Sequence, residues 1–251
     1  MMQIEKLDGA TTLTLNRPKQ RNALDAAVID SLTHAIEEAE ADAGTRCLVI
    51  RGAGGNFCAG RDLTRPPERN LTSALSADEA WTKVNRILHT MSKPTVALVE
   101  GYAVAGGFTL AMICDFVLAE EEAKFGALEM RRGFPAAINT PVLTNLVGPR
   151  LALEFLMFGD LISARRLYEV GLINRLVDGT EALNQLAQQF VRNLVALDRD
   201  AVRMTKEALR AARNMPLLDA LEMGKLGNAL IAASGRMDEA MQDYADMKGK
   251  H

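Results

Sequence analysis

Cysteine is scarce. The three thiols, Cys47, Cys58 and Cys114, form an odd, scattered set, which gives no disulfide framework. Free thiols suit a reducing compartment, and a cytoplasmic location is the expectation. Long apolar runs are missing too. No stretch approaches the roughly 20 apolar residues that a membrane-spanning helix requires, so no membrane partner is expected. The first residues, Met1-Met2-Gln3-Ile4-Glu5-Lys6, lack the apolar core of a signal peptide and the Arg/Ser bias of a transit peptide. Excess charge is absent as well. A net charge of −3 gives no global field toward nucleic acid. Histidine occurs only as His34, His89 and His251. No Cys/His/acid cluster has metal-ligand spacing, so no metal is expected. No Ser-His-acid set comes with a recognisable elbow.

What remains is an ordinary globular composition, 48% hydrophobic and 24% charged over 251 residues. That suits one large domain, or a domain with an appendage, and a sizeable core. Thr11 to Leu15 reads as a strand closed by Asn16-Arg17-Pro18. Asp25 is a candidate N-cap for a helix whose Val28, Ile29, Leu32, Ala35, Ile36 and Ala39 recur at helical spacing. Cys47 to Ile50 and Thr95 to Val99 are short continuous apolar runs, the pattern of strands buried on both faces. Leu63 to about Ala77, with Pro66-Pro67 and many charges, reads as a loop. A helix through Trp81, Val84, Leu88 and Met91 follows. Gly106-Gly107 leads into an apolar helix to Cys114. Phe116 to Ala119, Lys124 to Gly126 and Ile173 to Val177 read as strands, and Ser163 caps a short helix. Strand, glycine turn and helix recur, so the fold class is α/β with stacked units. After Asp178 the pattern is helical.

Two glycine segments are chemically suggestive. Gly52-Ala53-Gly54-Gly55-Asn56-Phe57-Cys58-Ala59-Gly60-Arg61-Asp62 nearly matches two nucleotide motifs. Phe57 replaces the third glycine of a dinucleotide fingerprint, and Arg61-Asp62 replaces the Lys-Ser/Thr of a phosphate loop. On this segment alone a plain strand-to-loop turn is the better reading. Gly106-Gly107 opens a helix, whose first amides have no internal partner and carry partial positive charge. Such amides suit a developing oxyanion. Close helix–strand packing also asks for glycine there.

Together the segments resemble the crotonase (enoyl-CoA hydratase/isomerase) superfamily. The matching stretches are Leu15-Asn16-Arg17-Pro18 with Asn22-Ala23-Leu24, Phe57 to Leu63, Lys93-Pro94-Thr95-Val96-Ala97, Gly101-Tyr102-Ala103 with Gly106-Gly107, Cys114-Asp115 and Phe125-Gly126. Farther on come Val147-Gly148, Ile162-Ser163-Ala164, Gly171-Leu172-Ile173-Asn174 and Thr205-Lys206. They fall in the family's order. The resemblance implies a spiral of β-β-α repeats over 1–177 carrying an acyl-CoA site, then a helical oligomerisation region over 178–251. It implies an acyl-CoA thioester as partner, a homotrimer or dimer of trimers, and no cofactor beyond the coenzyme A of the substrate. The backbone amides of Arg61 and Gly106 would form an oxyanion hole, each donor worth roughly 3–4 kcal/mol. Arg21, Ala23, Ala59 and Leu63 would line the coenzyme A path, with Asp62, Gly107, Thr109 and Phe134 completing the substrate site.

Hydratases of this family carry two glutamates. The first position is Thr109 here, and the second is Glu129. Adding water needs a group to activate the water and a proton for the α-carbon. Moving a double bond needs one base. A lone Glu129 therefore favours isomerase-like chemistry through an enolate. The alternatives are a hydratase with an unusual second acid or water, a crotonase-type hydrolase or decarboxylase, and a non-catalytic acyl-CoA-binding scaffold. Leu128, Met130 and Phe134 are expected to desolvate Glu129, which raises a carboxyl pKa, while Arg131 and Arg132 oppose that and leave the net direction open. Cys58 reads as a small buried residue rather than a nucleophile.

Overall fold

The computed structural model describes residues 2–62, 64 and 70–233. Along the chain, β1 (Gln3–Leu7), β2 (Ala10–Leu15), α1 (Ala26–Ala41) and β3 (Cys47–Gly52) are followed by α2 (Leu71–Thr90), β4 (Thr95–Val99), β5 (Tyr102–Val104) and α3 (Gly106–Ile113). Next come β6 (Phe116–Glu120), β7 (Lys124–Gly126), α4 (Asn139–Val147), α5 (Pro149–Phe158), β8 (Ile162–Ser163), α6 (Ala164–Glu169) and β9 (Arg175–Val177). Three helices end the described chain: α7 (Thr180–Val195), α8 (Arg199–Ala212) and α9 (Leu217–Ala233).

The strands form two sheets. One has the order β1-β2-β3-β4-β6-β9, antiparallel only between β1 and β2. The other is β5-β7-β8. The continuous apolar runs find their reason here. On β3, Leu48 and Ile50 join the larger core, while Cys47 and Val49 join a second core on the opposite face. On β4, Ala97 and Val99 alternate with Val96 and Leu98 in the same way. A strand covered on both faces, with side chains of period two, must be apolar throughout.

Local signals set the boundaries. Asp25 caps α1, its carboxylate accepting from Val28 N at 2.9 Å. Asn70 caps α2, accepting from Ser73 N at 2.8 Å. The helix therefore starts at Leu71, where the sequence suggests a loop as far as Ala77. The Asp8-Gly9 turn between β1 and β2 takes positive φ at both residues, the geometry that suits a tight hairpin.

The chain divides into two compact units between Leu197 and Asp198, one helix later than the change of pattern near Asp178. The cause is α7: its Leu183 and Ala187 are buried against β3, β4 and β6, so α7 completes the first unit. In the second unit α8 and α9 pack on one another. Leu217, Leu221, Leu226 and Leu230 of α9 remain exposed. No helix among the described residues is long and apolar enough to cross a membrane.

Candidate active site

The site is built where the 17–25 turn, the 57–62 segment and the start of α3 meet. Asn22 is buried and takes φ of +58°. It accepts from Arg17 N at 2.8 Å and donates to Ala53 O at 2.9 Å and Asn56 O at 2.6 Å. The Arg17 guanidinium donates to Ala23 O at 2.7 Å and to Asp62 at 3.0 Å, with Asp25 at 3.2 Å. These bonds clamp the turn onto the segment that follows β3. Leu24 then pairs with Arg61 as in a parallel sheet: Leu24 N donates to Gly60 O at 2.8 Å and Asp62 N to Leu24 O at 2.9 Å. That pairing turns the Arg61 N–H away from Leu24. On the other side Cys58 pairs with Ala103.

Gly60, with φ of +82°, lies so close to the next element that an added Cβ would sit 2.9 Å from Gly106 N. Ala105 has φ of 52° and ψ of −121°. Few non-glycine residues adopt such a conformation, and surrounding structure must impose it. Here Ala105 N donates to Gly126 O at 2.8 Å, and Ala105 O accepts from Phe108 N and Thr109 N. Gly106 N thus opens α3. Neither this amide nor that of Arg61 has a hydrogen-bond acceptor among the described residues.

The two adjacent glycines differ. A Cβ on Gly107 would come within 2.1 Å of Cys58 O, so packing alone demands glycine there. A Cβ on Gly106 would meet Gly60, Trp81 and Leu24 at no less than 3.6 Å, which is ordinary contact.

Glu129 follows β7. Its Oε1 accepts from Asn139 Nδ2 at 2.9 Å, and its Oε2 is buried with no partner among the described residues. Desolvation raises its pKa. Its own backbone amide, Asn139 and the Arg132 charge oppose the rise without reversing it. Arg131 is paired with Asp160 instead. Asn139 is 1% exposed. Its Oδ1 accepts from Thr109 Oγ1 at 2.8 Å, and its Nδ2 also reaches Ala105 O at 3.3 Å.

The structure places the other expected site residues in the following surroundings. Thr109 is 1% exposed, its hydroxyl given to Asn139 rather than to an open pocket. The Asp62 carboxylate is held by Thr64 and Arg17, which lower its pKa; it braces the loop. Gly107 is a packing residue. Phe134 is 58% exposed, and its N–H donates to the Glu129 carbonyl at 3.1 Å. Ala23 is buried, and Ala59 is half-buried and donates to Arg21 O at 2.9 Å. The exposed Arg21 guanidinium lies over the Tyr102 ring at 5.3 Å. The Arg61 side chain pairs with Asp78 on the surface. Leu63 lies outside the described residues. Burial pushes the Cys58 thiol up to about 12, which removes it as a nucleophile. Asn139 carries no motif. Its one sequence signal is a polar residue directly after the apolar stretch Ala136-Ala137-Ile138, which must find partners if buried.

A family model described as enoyl-CoA hydratase/isomerase matches residues 5–250. The chain belongs to the enoyl-CoA hydratase/isomerase family. It is 35% identical over 258 residues to a Thermus thermophilus protein provisionally named an enoyl-CoA hydratase, covering 99% of this chain and 98% of the relative. It is 32% identical over 249 residues to the 2,3-dehydroadipyl-CoA hydratase of Escherichia coli, covering 95% and 94%. Among solved structures, an enoyl-CoA hydratase from Bacillus anthracis matches with a TM-score of 0.92 at 26% identity, over 98% of this chain and 96% of that one. The α/β spiral with C-terminal helices is thus the architecture of this enzyme family.

Proposed function

We propose that the protein acts on an acyl-CoA thioester, stabilises its enolate with the amides of Arg61 and Gly106, and moves protons with Glu129. Coenzyme A enters as part of the substrate, along a path bordered by Arg21, Ala23 and Ala59. As the thioester carbonyl gains negative charge, both hydrogen bonds strengthen, which is the differential binding that catalysis requires. The observation that carries the reading is the pairing of two amides, acceptor-free among the described residues, with a carboxylate one side chain away whose Oε2 is buried. Glu129 is joined to the Ala105 turn by the single amide of Asn139.

The finer reading is a shift of a carbon–carbon double bond. One base takes a proton from one carbon and returns it to another, and among the described residues Glu129 is the carboxylate that Asn139 joins to the Ala105 turn. The position of a second acid holds Thr109, whose hydroxyl is committed inside the protein. Water addition is the second reading. It is favoured by relatives named as hydratases, among them the crotonyl-CoA hydratase of Syntrophomonas wolfei, 30% identical over 98% of this chain. Mass spectrometry of products from a panel of 2-enoyl and 3-enoyl thioesters in H₂¹⁸O separates the two. Isomerisation leaves the mass unchanged, and hydration adds labelled water. Turnover of neither class contradicts both readings.

We also propose assembly as a trimer or dimer of trimers. Leu153, Met157, Phe158 and Leu161, on and after α5, are exposed, and an apolar patch of this kind suits burial against another surface. Light scattering that finds a stable monomer at micromolar concentration contradicts it.

A further inference from the structure

The side chain of Asn139 has a forced orientation. One of its terminal atoms faces two acceptors, Glu129 Oε1 at 2.9 Å and Ala105 O at 3.3 Å. Only the nitrogen, with two hydrogens, satisfies both; an oxygen there would face two oxygens. The other atom is then Oδ1, and Thr109 Oγ1 lies 2.8 Å from it. The Thr109 hydroxyl has a single proton. Its alternative acceptor, Ala105 O, is at 3.4 Å, so the shorter bond to Asn139 takes it.

Each bond leads to a part of the proposed machinery. Ala105 is the strained residue that aims the Gly106 amide, and Glu129 is the proposed base. Thr109 is on α3, one turn from that amide. Packing at this buried position asks only for an apolar side chain of similar size. A buried amide is retained without penalty only where its hydrogen bonds are made. Asn139 makes three, and two of them end on the base and on the oxyanion turn.

We propose that Asn139 is a positioning residue that holds base and oxyanion donor in one frame. It fixes the Glu129 carboxylate by Oε1 and leaves Oε2, which no described residue contacts by hydrogen bond, as the oxygen that accepts and returns the proton. The carboxylate gains a proton on Oε2 as a C–H bond of the thioester breaks, and the electron pair left behind forms the enolate. Return of that proton to carbon restores the carboxylate. The proposal rests on Glu129 as the base.

Asn139→Leu removes the donor at nearly constant volume, and Thr109→Val removes the support behind it at constant shape. The Glu129 carboxyl is titrated in [δ-¹³C]glutamate-labelled protein by ¹³C NMR, with Glu129→Gln identifying its signal. Loss of the Asn139 donor destabilises the carboxylate, so the midpoint moves to higher pH in Asn139→Leu and by a smaller step in Thr109→Val. The acid limb of the kcat profile moves with it, kcat at neutral pH falls by about 10²-fold, and KM changes little. Thr109→Val keeps Asn139 in place and reports the same coupling if Asn139→Leu folds poorly. An unchanged Glu129 midpoint in the folded variants overturns the proposal. The reading of Glu129 as base fails separately, through full turnover by Glu129→Gln.

Discussion

β3 and β4 pair in register from Leu48 with Thr95 to Arg51 with Leu98, and nearly all their side chains are buried. The loops beside them are built otherwise. Gly60 and Ala105 take positive φ, the amides of Arg61 and Gly106 have no acceptor among the described residues, and a buried oxygen of Glu129 has none. In the first region each strand is paired with a neighbour on both sides. The second keeps unmade hydrogen bonds in reserve, and a group left unpaired costs stability unless something uses it. The sheet supplies the rigidity that holds the loops in that state. Neighbouring residues fall on opposite sides of the divide: Gly107 belongs to the packed region and Gly106 to the reserved one.

Substitution at these two glycines sharpens the contrast most. Gly107→Ala drives a methyl into the Cys58 carbonyl, and the strand and helix must part. A stability loss of about 3 kcal/mol or more is expected, read by urea denaturation. Gly106→Val leaves the backbone unobstructed, since its Cβ finds ordinary contacts. Its melting temperature should stay near that of the parent, while turnover falls by about 10²-fold or more as the side chain crowds the thioester. A Gly106→Val enzyme with intact turnover breaks the contrast. Arg61→Ala should change turnover only a few-fold, because the amide survives and a surface ion pair is worth about 0–1 kcal/mol.

The paired region is also the one more legible in the sequence. Cys47 to Ile50 and Thr95 to Val99 announce strands because a parallel sheet covered on both faces leaves only apolar choices. Asp25 announces a helix because its carboxylate has one local use. β1 was less legible, since all five of its residues are exposed and no alternation of burial marks it. α4 and α5 carry no assignment from the sequence; Pro141 and Pro149 fall in their first turns, where N–H groups lack partners anyway. Within the site, Gly106 and Glu129 stood out through the family pattern. Asn139 did not, because its three partners come from 10, 30 and 34 residues away, and only the fold brings them together. The same holds for Arg17, which contacts Asp62 45 residues on.

A smaller effect probes the cost of the reserved site. Burial raises the Glu129 pKa in the folded state. Folding therefore favours the protonated form, and the charged form costs stability. That cost is absent below the ordinary carboxylate range, grows as pH rises to the folded-state value, and levels off above it. Glu129→Gln should accordingly melt slightly higher than the parent at pH 8, and the difference should vanish near pH 4. A Glu129→Gln variant that is less stable at both pH values contradicts the sign.

The proposed mechanism uses the Arg61 and Gly106 amides and Glu129 as separate instruments, one for binding charge and one for moving protons. Glu129→Gln tests it most directly, with turnover and thioester affinity measured on the same preparation. Turnover of the best acyl-CoA should fall by about 10²- to 10⁴-fold, while the affinity for that thioester changes only a few-fold because Arg61 and Gly106 still offer their amides. Turnover at the parent rate in Glu129→Gln would contradict the account.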